Sequence, residues 1–240
     1  MNGIIPRFTN TIKGKIDFED FKNKVFDCKA FLLNTPSNPT GIVQEKVTLK
    51  QIEAMCHNLD IKIISDEVYS SIIYEKEHYS VSGRNIITIQ SFSKTYSMCG
   101  YRVGYLHCLD KDIIEKTAEI KSYTSMNTSN IPQEMAYNAL QTPKSAIEEQ
   151  VKIWKQRRDF IYKNLIDLNL DVWKPEGAFY VLPRIKDPIK SALKLYKKYK
   201  VITYPGEWFG APKRIRLSYA LNIDKIEEGL KRIKKFLNSA

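Results

Sequence analysis

Apolar residues in the first half of the chain come in short continuous runs, not in strict alternation. Ala30-Phe31-Leu32-Leu33, Ile61-Lys62-Ile63-Ile64 and Ile86-Ile87-Thr88-Ile89 each give way to polar residues, at Asn34, Ser65 and Gln90. Runs of this kind predict strands over 30–34, 61–65, 86–90 and 102–107, in a mostly parallel sheet buried on both faces by helices. Between the first two, the spacing predicts a helix over 49–59, with Thr48 and Gln51 as its capping box. Farther along, the period lengthens to that of helices over 111–125, 132–140 and 145–168. In the last of these, Ile147, Val151, Trp154, Ile161 and Leu165 recur at threes and fours, and Arg158 interrupts the stripe. A helix of that length suits a bridge between domains. Strands over 171–173 and 178–182 follow, then a helix with Leu193, Tyr196 and Tyr199 near a core edge, then a strand over 214–219. The closing helix sets Ile226, Leu230, Ile233 and Leu237 against Lys231, Lys234 and Lys235, an ordinary solvated face. The pattern therefore gives an α/β fold, with a large domain over 1–150 and a small α+β C-terminal domain over 151–240.

Composition changes this picture little. The chain has 240 residues, with 38 Lys and Arg against 27 Asp and Glu, a net charge of +11. Such a balance suits nucleic acid or anionic lipid, but the lysines are scattered over amphipathic helices and form no dedicated stripe, so neither partner is expected. No apolar run is long enough to span a bilayer. Cys28, Cys56, Cys99 and Cys108 show neither metal-ligand spacing nor a disulfide framework, which fits a reducing cytoplasm. Cys99 reads as a packed thiol.

Candidate chemistry gathers just past the strand ends. The first strand runs into Asn34-Thr35-Pro36-Ser37-Asn38-Pro39-Thr40-Gly41, where two prolines restrict the backbone around Asn38. The second runs into Asp66-Glu67-Val68-Tyr69. The third runs into Ser91-Phe92-Ser93-Lys94-Thr95-Tyr96, with Gly100-Tyr101-Arg102 beyond. Hydroxyls and a guanidinium suit phosphate oxygens, and a lysine beside a bound phosphate is placed to form a Schiff base with an aldehyde cofactor. Ligands of open α/β sheets bind beyond the carboxyl ends of strands.

Taken in order, Asn38-Pro39-Thr40-Gly41, Ser65-Asp66-Glu67-Val68-Tyr69, Ser91-Phe92-Ser93-Lys94 with Arg102, and Arg214-Ile215-Arg216-Leu217-Ser218 resemble the motifs of one family. They are those of the pyridoxal-phosphate-dependent aminotransferases of fold type I, class I/II, in its aspartate-aminotransferase-like subgroup. The resemblance implies a sheet-based cofactor domain and transamination between an L-amino acid and a 2-oxo acid. It implies that Lys94 holds pyridoxal 5'-phosphate as a Schiff base and shuttles the substrate's α-proton. Asp66 would pair with the pyridine nitrogen, and Asn38 and Tyr69 would hydrogen-bond the ring's phenolic oxygen. Ser91, Ser93 and Arg102 would hold the phosphate. Arg216 would clamp the substrate α-carboxylate in a site that Asn38 shares. Strand alternation sends Arg214 to the same face as Arg216, and only the family pattern favours Arg216.

The chain also begins late against the family pattern. The resemblance implies that a long upstream stretch is missing, with two strands of the large sheet, one of them between interior strands, and part of the small domain. Exposed apolar surface and unpaired strand edges would result, and the homodimer that completes the family's active site would depend on that stretch. Alternatives to an aminotransferase chain are one half of a split enzyme, an inactive truncated chain, a pyridoxal-phosphate-dependent C–S lyase, or a non-catalytic basic binding protein.

Overall fold

The computed structural model describes residues 3–239, whose contacts gather into two units. One comprises the chain up to Pro36, Val43–Ser71 and Glu77–Lys144, and the other comprises Ser37–Ile42, Ile72–Lys76 and the chain from Ser145 onward. Where the hydrophobic pattern suggests one cut near residue 150, the division falls after Lys144 and reassigns two short segments. Their hydrogen bonds give the reason. The N–H groups of Glu176 and Gly177 donate to Gly41 O at 2.7 and 2.8 Å, and the Tyr74 and Ala178 N–H groups donate to Glu176 O and Ile72 O at 3.0 and 2.9 Å. Gly41 has a left-handed φ of +69°, and a Cβ there would lie 2.7 Å from Pro175 Cβ, so this turn requires glycine.

The first unit opens with a short antiparallel hairpin, β1 (Thr11–Ile12) and β2 (Lys15–Ile16). Helix α1 (Phe18–Val25) starts on Asp17, whose carboxylate accepts the N–H groups of Glu19 and Asp20. Then come β3 (Ala30–Asn34), α2 (Lys46–Asn58), β4 (Lys62–Asp66), β5 (Ile86–Ser91), the one-turn α3 (Phe92–Thr95), β6 (Gly104–Cys108), α4 (Lys111–Thr124) and α5 (Asn130–Ala139). The sheet runs β3-β4-β5-β6, with β3, β4 and β5 parallel and β6 antiparallel to β5. Asn34 lies opposite Asp66, Asp66 opposite Ile89 and Ser91 opposite Gly104, so Asp66 and Ser91 share one end of the sheet. Phe21 and Val25 of α1, Leu49, Ile52 and Cys56 of α2, and Leu33, Ile63 and Ile86 of the strands form its core. Each large aliphatic side chain buried there contributes about 1.5–3 kcal/mol. Burial, with a smaller effect of Cys28, pushes the Cys56 thiol up to about 12, as suits an inert core thiol.

Three expectations for this unit are corrected. Helix α2 begins at Lys46 on Glu45 with no side-chain cap, which puts Thr48 inside its first turn instead of at a capping box. Each strand of the sheet is hydrogen-bonded directly to its neighbour, so a further strand can add only at an edge. The exposed apolar side chains of the sheet lie on its two edge strands, Leu32 of β3 at 69% and Tyr105 of β6 at 54%, as expected of unpaired edges. The last strand begins at Gly104 and not at Arg102, since Arg102 takes a left-handed conformation (φ 55°, ψ 43°) that ends the 3-10 turn before it.

The second unit contains α6 (Lys144–Asp167), β7 (Tyr180–Val181), α7 (Pro188–Tyr199), β8 (Tyr204–Pro205), β9 (Ile215–Ser218) and α8 (Ile223–Leu237). Its antiparallel sheet has the order β7-β9-β8. Ile161 and Leu165 of α6, Leu195 of α7, and Ile226, Leu230, Ile233 and Phe236 of α8 pack around Val181, Ile215 and Leu217. The apolar face read for the last helix is therefore the buried one. In α7 the buried residues are Pro188, Ser191, Ala192 and Leu195, whereas Leu193 and Tyr196 are 50% and 56% exposed, because helical phase turns them outward. Residues 171–173 form no strand; the Asp171 carbonyl accepts the Arg184 N–H at 2.7 Å instead. Arg158, which interrupts the stripe of α6, is fully buried. It pairs with Glu75 and, at 2.7 Å, with Asp159, and lies over the Tyr74 ring at 4.7 Å.

Candidate active site

In the first unit the tips of β4 and β5 carry the candidates. β5 ends in Ser91, whose hydroxyl caps α3 by accepting the Ser93 N–H at 3.1 Å. This one-turn helix places Lys94 in its last turn, with Phe92 and Ser93 buried beneath. Phe92 packs with Met98, Val103 and Ala136, which anchors the turn to α5. Lys94 Nζ stands 5.7 Å from the centroid of the Tyr69 ring. Asp66, the last residue of β4, is half-buried and accepts the Val68 N–H at Oδ1, 3.3 Å away. Burial and the charge of Glu67 hold its carboxyl above the usual carboxylate range, although the Val68 N–H and the Lys94 charge act the other way. Lys94, Asp66 and Tyr69 thus share one electrostatic neighbourhood.

Arg102 follows the 3-10 turn Cys99–Tyr101, is exposed, and donates from Nη1 to Cys99 O at 2.9 Å. Cys99, read as packed, is exposed; its thiol hydrogen-bonds the Ser93 carbonyl at 3.0 Å. Gly104, opposite Ser91, has no room for a side chain, because a Cβ would come within 2.5 Å of Gln90 O.

In the second unit, Arg216 of β9 donates from Nη1 to Asn38 Oδ1 at 2.9 Å. Its guanidinium carbon lies 4.8 Å from the Tyr180 ring centroid, 4.7 Å from that of Tyr204 and 4.6 Å from that of Phe209. Aromatic walls of this kind hold a guanidinium by cation–π attraction and limit its freedom. Arg214, which alternation could not separate from Arg216, has different partners. It donates to the Asp171 carboxylate at 2.7 Å and to Leu182 O at 2.8 Å, and lies 4.0 Å over the Trp173 ring. Arg214 is thus occupied in holding two segments of the unit together. Asn38, expected alongside the cofactor ring's oxygen, hydrogen-bonds the candidate carboxylate clamp.

Sequence reasoning gave no role to the three aromatic residues around Arg216, Tyr180 and the neighbouring pair Tyr204 and Phe209, because nothing local ties them to that arginine. It also left Glu67 and His78 without a role, although alternation along β4 already turns Glu67 to the buried side.

The aminotransferase class I and II family model matches residues 4–233. The chain belongs to that family. Over 93% of its length it is 38% identical to a probable aspartate/prephenate aminotransferase of Aquifex aeolicus, and spans 61% of that protein. It is also 38% identical to a probable aspartate aminotransferase of Methanocaldococcus jannaschii, covering 92% of this chain and 62% of the relative. Among solved structures, an aromatic aminotransferase from Pyrococcus horikoshii superposes with a TM-score of 0.89 at 33% identity, covering 95% of this chain and 65% of that one. An aspartate aminotransferase from Thermotoga maritima gives 0.87 at 34%, covering 93% and 60%. The chain therefore spans about three fifths of the length of these aminotransferases. Among its described residues, no helix is long and apolar enough to cross a membrane.

The environment of Asp66 gives a prediction that needs no ligand. An acid whose pKa is raised by folding binds its proton more tightly in the native state, so its ionisation costs stability as pH rises from the unfolded value of 3.8 through the folded one. Asp66→Asn should therefore raise the melting temperature of the cofactor-free protein at neutral pH, with the gain shrinking as the solution is made acidic. Melting curves at several pH values check this; a neutral-pH loss of stability would contradict it.

Proposed function

We propose that this aminotransferase-family chain carries the machinery for pyridoxal-phosphate-dependent transamination between an L-amino acid and a 2-oxo acid. The observation that carries the reading is the grouping of Lys94, Asp66 and Tyr69 at one end of the sheet, beside the hydroxyls of Ser91 and Ser93. The lysine supplies an amine for the cofactor's aldehyde carbon, and Ser91, Ser93 and Arg102 supply donors for its phosphate. Asp66 is the carboxylate for the pyridine nitrogen, and Tyr69 and Asn38 are the partners for the phenolic oxygen. When bound, pyridoxal phosphate supplies an electron sink for the pair left as the substrate's Cα–H bond breaks. Lys94 Nζ would hold that α-proton between removal and return, serving first as general base and then as general acid. Arg216 orients the substrate by gripping its α-carboxylate, and its three aromatic neighbours keep the guanidinium in one place.

Aspartate, named for several of the relatives, is the amino donor to test first, with aromatic amino acids next. The four cysteines are free, which supports a reducing compartment such as the cytoplasm. The working assembly proposed, once the upstream stretch is supplied, is a homodimer, supported by exposed apolar side chains such as Tyr123, Ile131 and Tyr137, at 84%, 71% and 64%.

The test is transfer of the amino group from aspartate to 2-oxoglutarate by protein supplied with the cofactor, followed by release of oxaloacetate. Arg216→Lys keeps the charge but loses the planar fork. It should raise KM for both substrates by roughly 10- to 100-fold, the size of one lost charge-assisted hydrogen bond, while leaving cofactor affinity unchanged. Loss of the cofactor with unchanged KM would remove Arg216 from the substrate site.

A further inference from the structure

Immediately behind Asp66 lies a buried charge that the proposed chemistry leaves unused. Along the tip of β4 and just past it, burial alternates. Ser65 and Glu67 are at 0% and 1% exposure, while Asp66 and Val68 are partly open. Glu67 therefore faces away from Asp66, into the unit's interior. Its Oε1 accepts the Ser65 hydroxyl at 2.9 Å, and its Oε2 accepts the Ser80 hydroxyl at 2.5 Å and faces His78 Nε2 at 3.0 Å. The main chain of Glu67 is also fixed, its N–H donating to Ile89 O at 3.0 Å and its carbonyl accepting the Ser70 N–H at 2.9 Å.

Burying a carboxylate is unfavourable, and an apolar side chain of similar volume would fill the space without that desolvation cost. It also works against Asp66, because Glu67 adds a like charge beside it. Three side-chain donors outweigh the burial and keep the Glu67 carboxyl below its ordinary range. What the charge provides is directional: it ties the end of β4 to His78 and Ser80, where the chain rejoins the first unit after the segment Ile72–Lys76. The His78 side chain is 9% exposed. Its Nδ1 has no hydrogen-bond partner among the described residues, so the ring is anchored through the Glu67 contact.

We propose that Glu67, held by His78 and Ser80, is a positioning residue that fixes Asp66 and Tyr69 from the back of β4. The inference rests on the cofactor roles assigned above to Asp66 and Tyr69. Functional groups must be held within about half an ångström of their working geometry, and a strand tip followed by an irregular excursion is where that precision is hardest to keep. The network itself touches neither cofactor nor substrate.

The full chain carrying His78→Ala or His78→Gln tests this, with two measurements on each. The first is amide hydrogen exchange of the cofactor-free protein at Glu67 and Ser70, with Ile63, which donates to Asn85 O within the sheet, as internal reference. His78→Ala should speed exchange at Glu67 and Ser70 by about tenfold, the scale of one lost hydrogen bond to a charged group, without changing Ile63. His78→Gln, whose amide can donate to Glu67 in place of the imidazole, should restore protection. The second is affinity for pyridoxal phosphate by fluorescence titration, expected to weaken about tenfold in the alanine variant and to recover in the glutamine variant. Unchanged exchange at Glu67 and Ser70 in His78→Ala would overturn the proposal. So would equal acceleration at Ile63, or a local change that leaves cofactor affinity intact. If the unsubstituted protein binds no cofactor, the functional reading fails, and the exchange pattern alone decides whether the network holds the strand tip.

Discussion

Lys94→Ala should abolish the absorbance band of lysine-linked pyridoxal phosphate and, with it, amino-group transfer. The effect is expected to be the largest of any single substitution, because the same amine anchors the cofactor and moves the α-proton. Loss of a positioned proton-transfer group alone costs roughly 10²- to 10⁴-fold in rate. The fold should survive the change. Helix α3 is held by Phe92 and Ser93, its buried residues, and by the Ser91 cap, none of which the substitution touches. The thermal midpoint should therefore move little while the absorbance disappears. A variant that keeps both the band and the activity would remove Lys94 from the reaction.

Arg158→Ala should be the largest loss of stability. The guanidinium is fully buried and donates to Pro175 O at 2.5 Å, pairs with Glu75 and Asp159, and covers the Tyr74 ring. Burial opposes the charge, yet the hydrogen bond to Glu75 and the neighbouring carboxylates outweigh it and hold the group more firmly protonated than in water. Removing it strands a buried carbonyl and opens a cavity. Glu75 and Asp159 keep 45% and 44% exposure and can be solvated by water, so their share is discounted. The expected cost is about 2–4 kcal/mol, which for a chain of this size lowers the melting temperature by roughly 5–15 °C. Arg158→Met, which keeps the stem's volume, should recover part of the loss. A melting temperature within a degree of the parent protein in Arg158→Ala would show that the ion pairs carry no net stability.

These two residues also show where the sequence was readable. Lys94, Asp66 and Arg216 stand in motifs whose order along the chain mirrors the family, and the strand runs before Asn34, Asp66 and Ser91 put those tips at one end of a sheet. The parallel pairing of β3, β4 and β5 follows from the same continuous apolar runs. Arg158 could be noticed as a break in the stripe of α6, but its partners Glu75 and Tyr74 come from a segment far away in sequence. Arg214 and Arg216 are equivalent by alternation, and only the distant Asp171 and Trp173 on one side, and Asn38 and three aromatic rings on the other, tell them apart. The start of α2 differs because its first turn is exposed: Val47 is apolar but 72% open, off the buried face of Leu49, Ile52 and Cys56. Long-range pairings of these kinds leave no local trace in sequence.

The central claim is that Lys94, one amine in a chain of net charge +11, is the residue to which the cofactor is joined. Protein incubated with pyridoxal phosphate, reduced with borohydride, digested and sequenced by mass spectrometry gives the answer directly. Attachment of the reduced cofactor to the Lys94 peptide, at one equivalent and competed by the cofactor's amine form, is the predicted result. Label spread over many surface lysines, or concentrated on a different one, would contradict it.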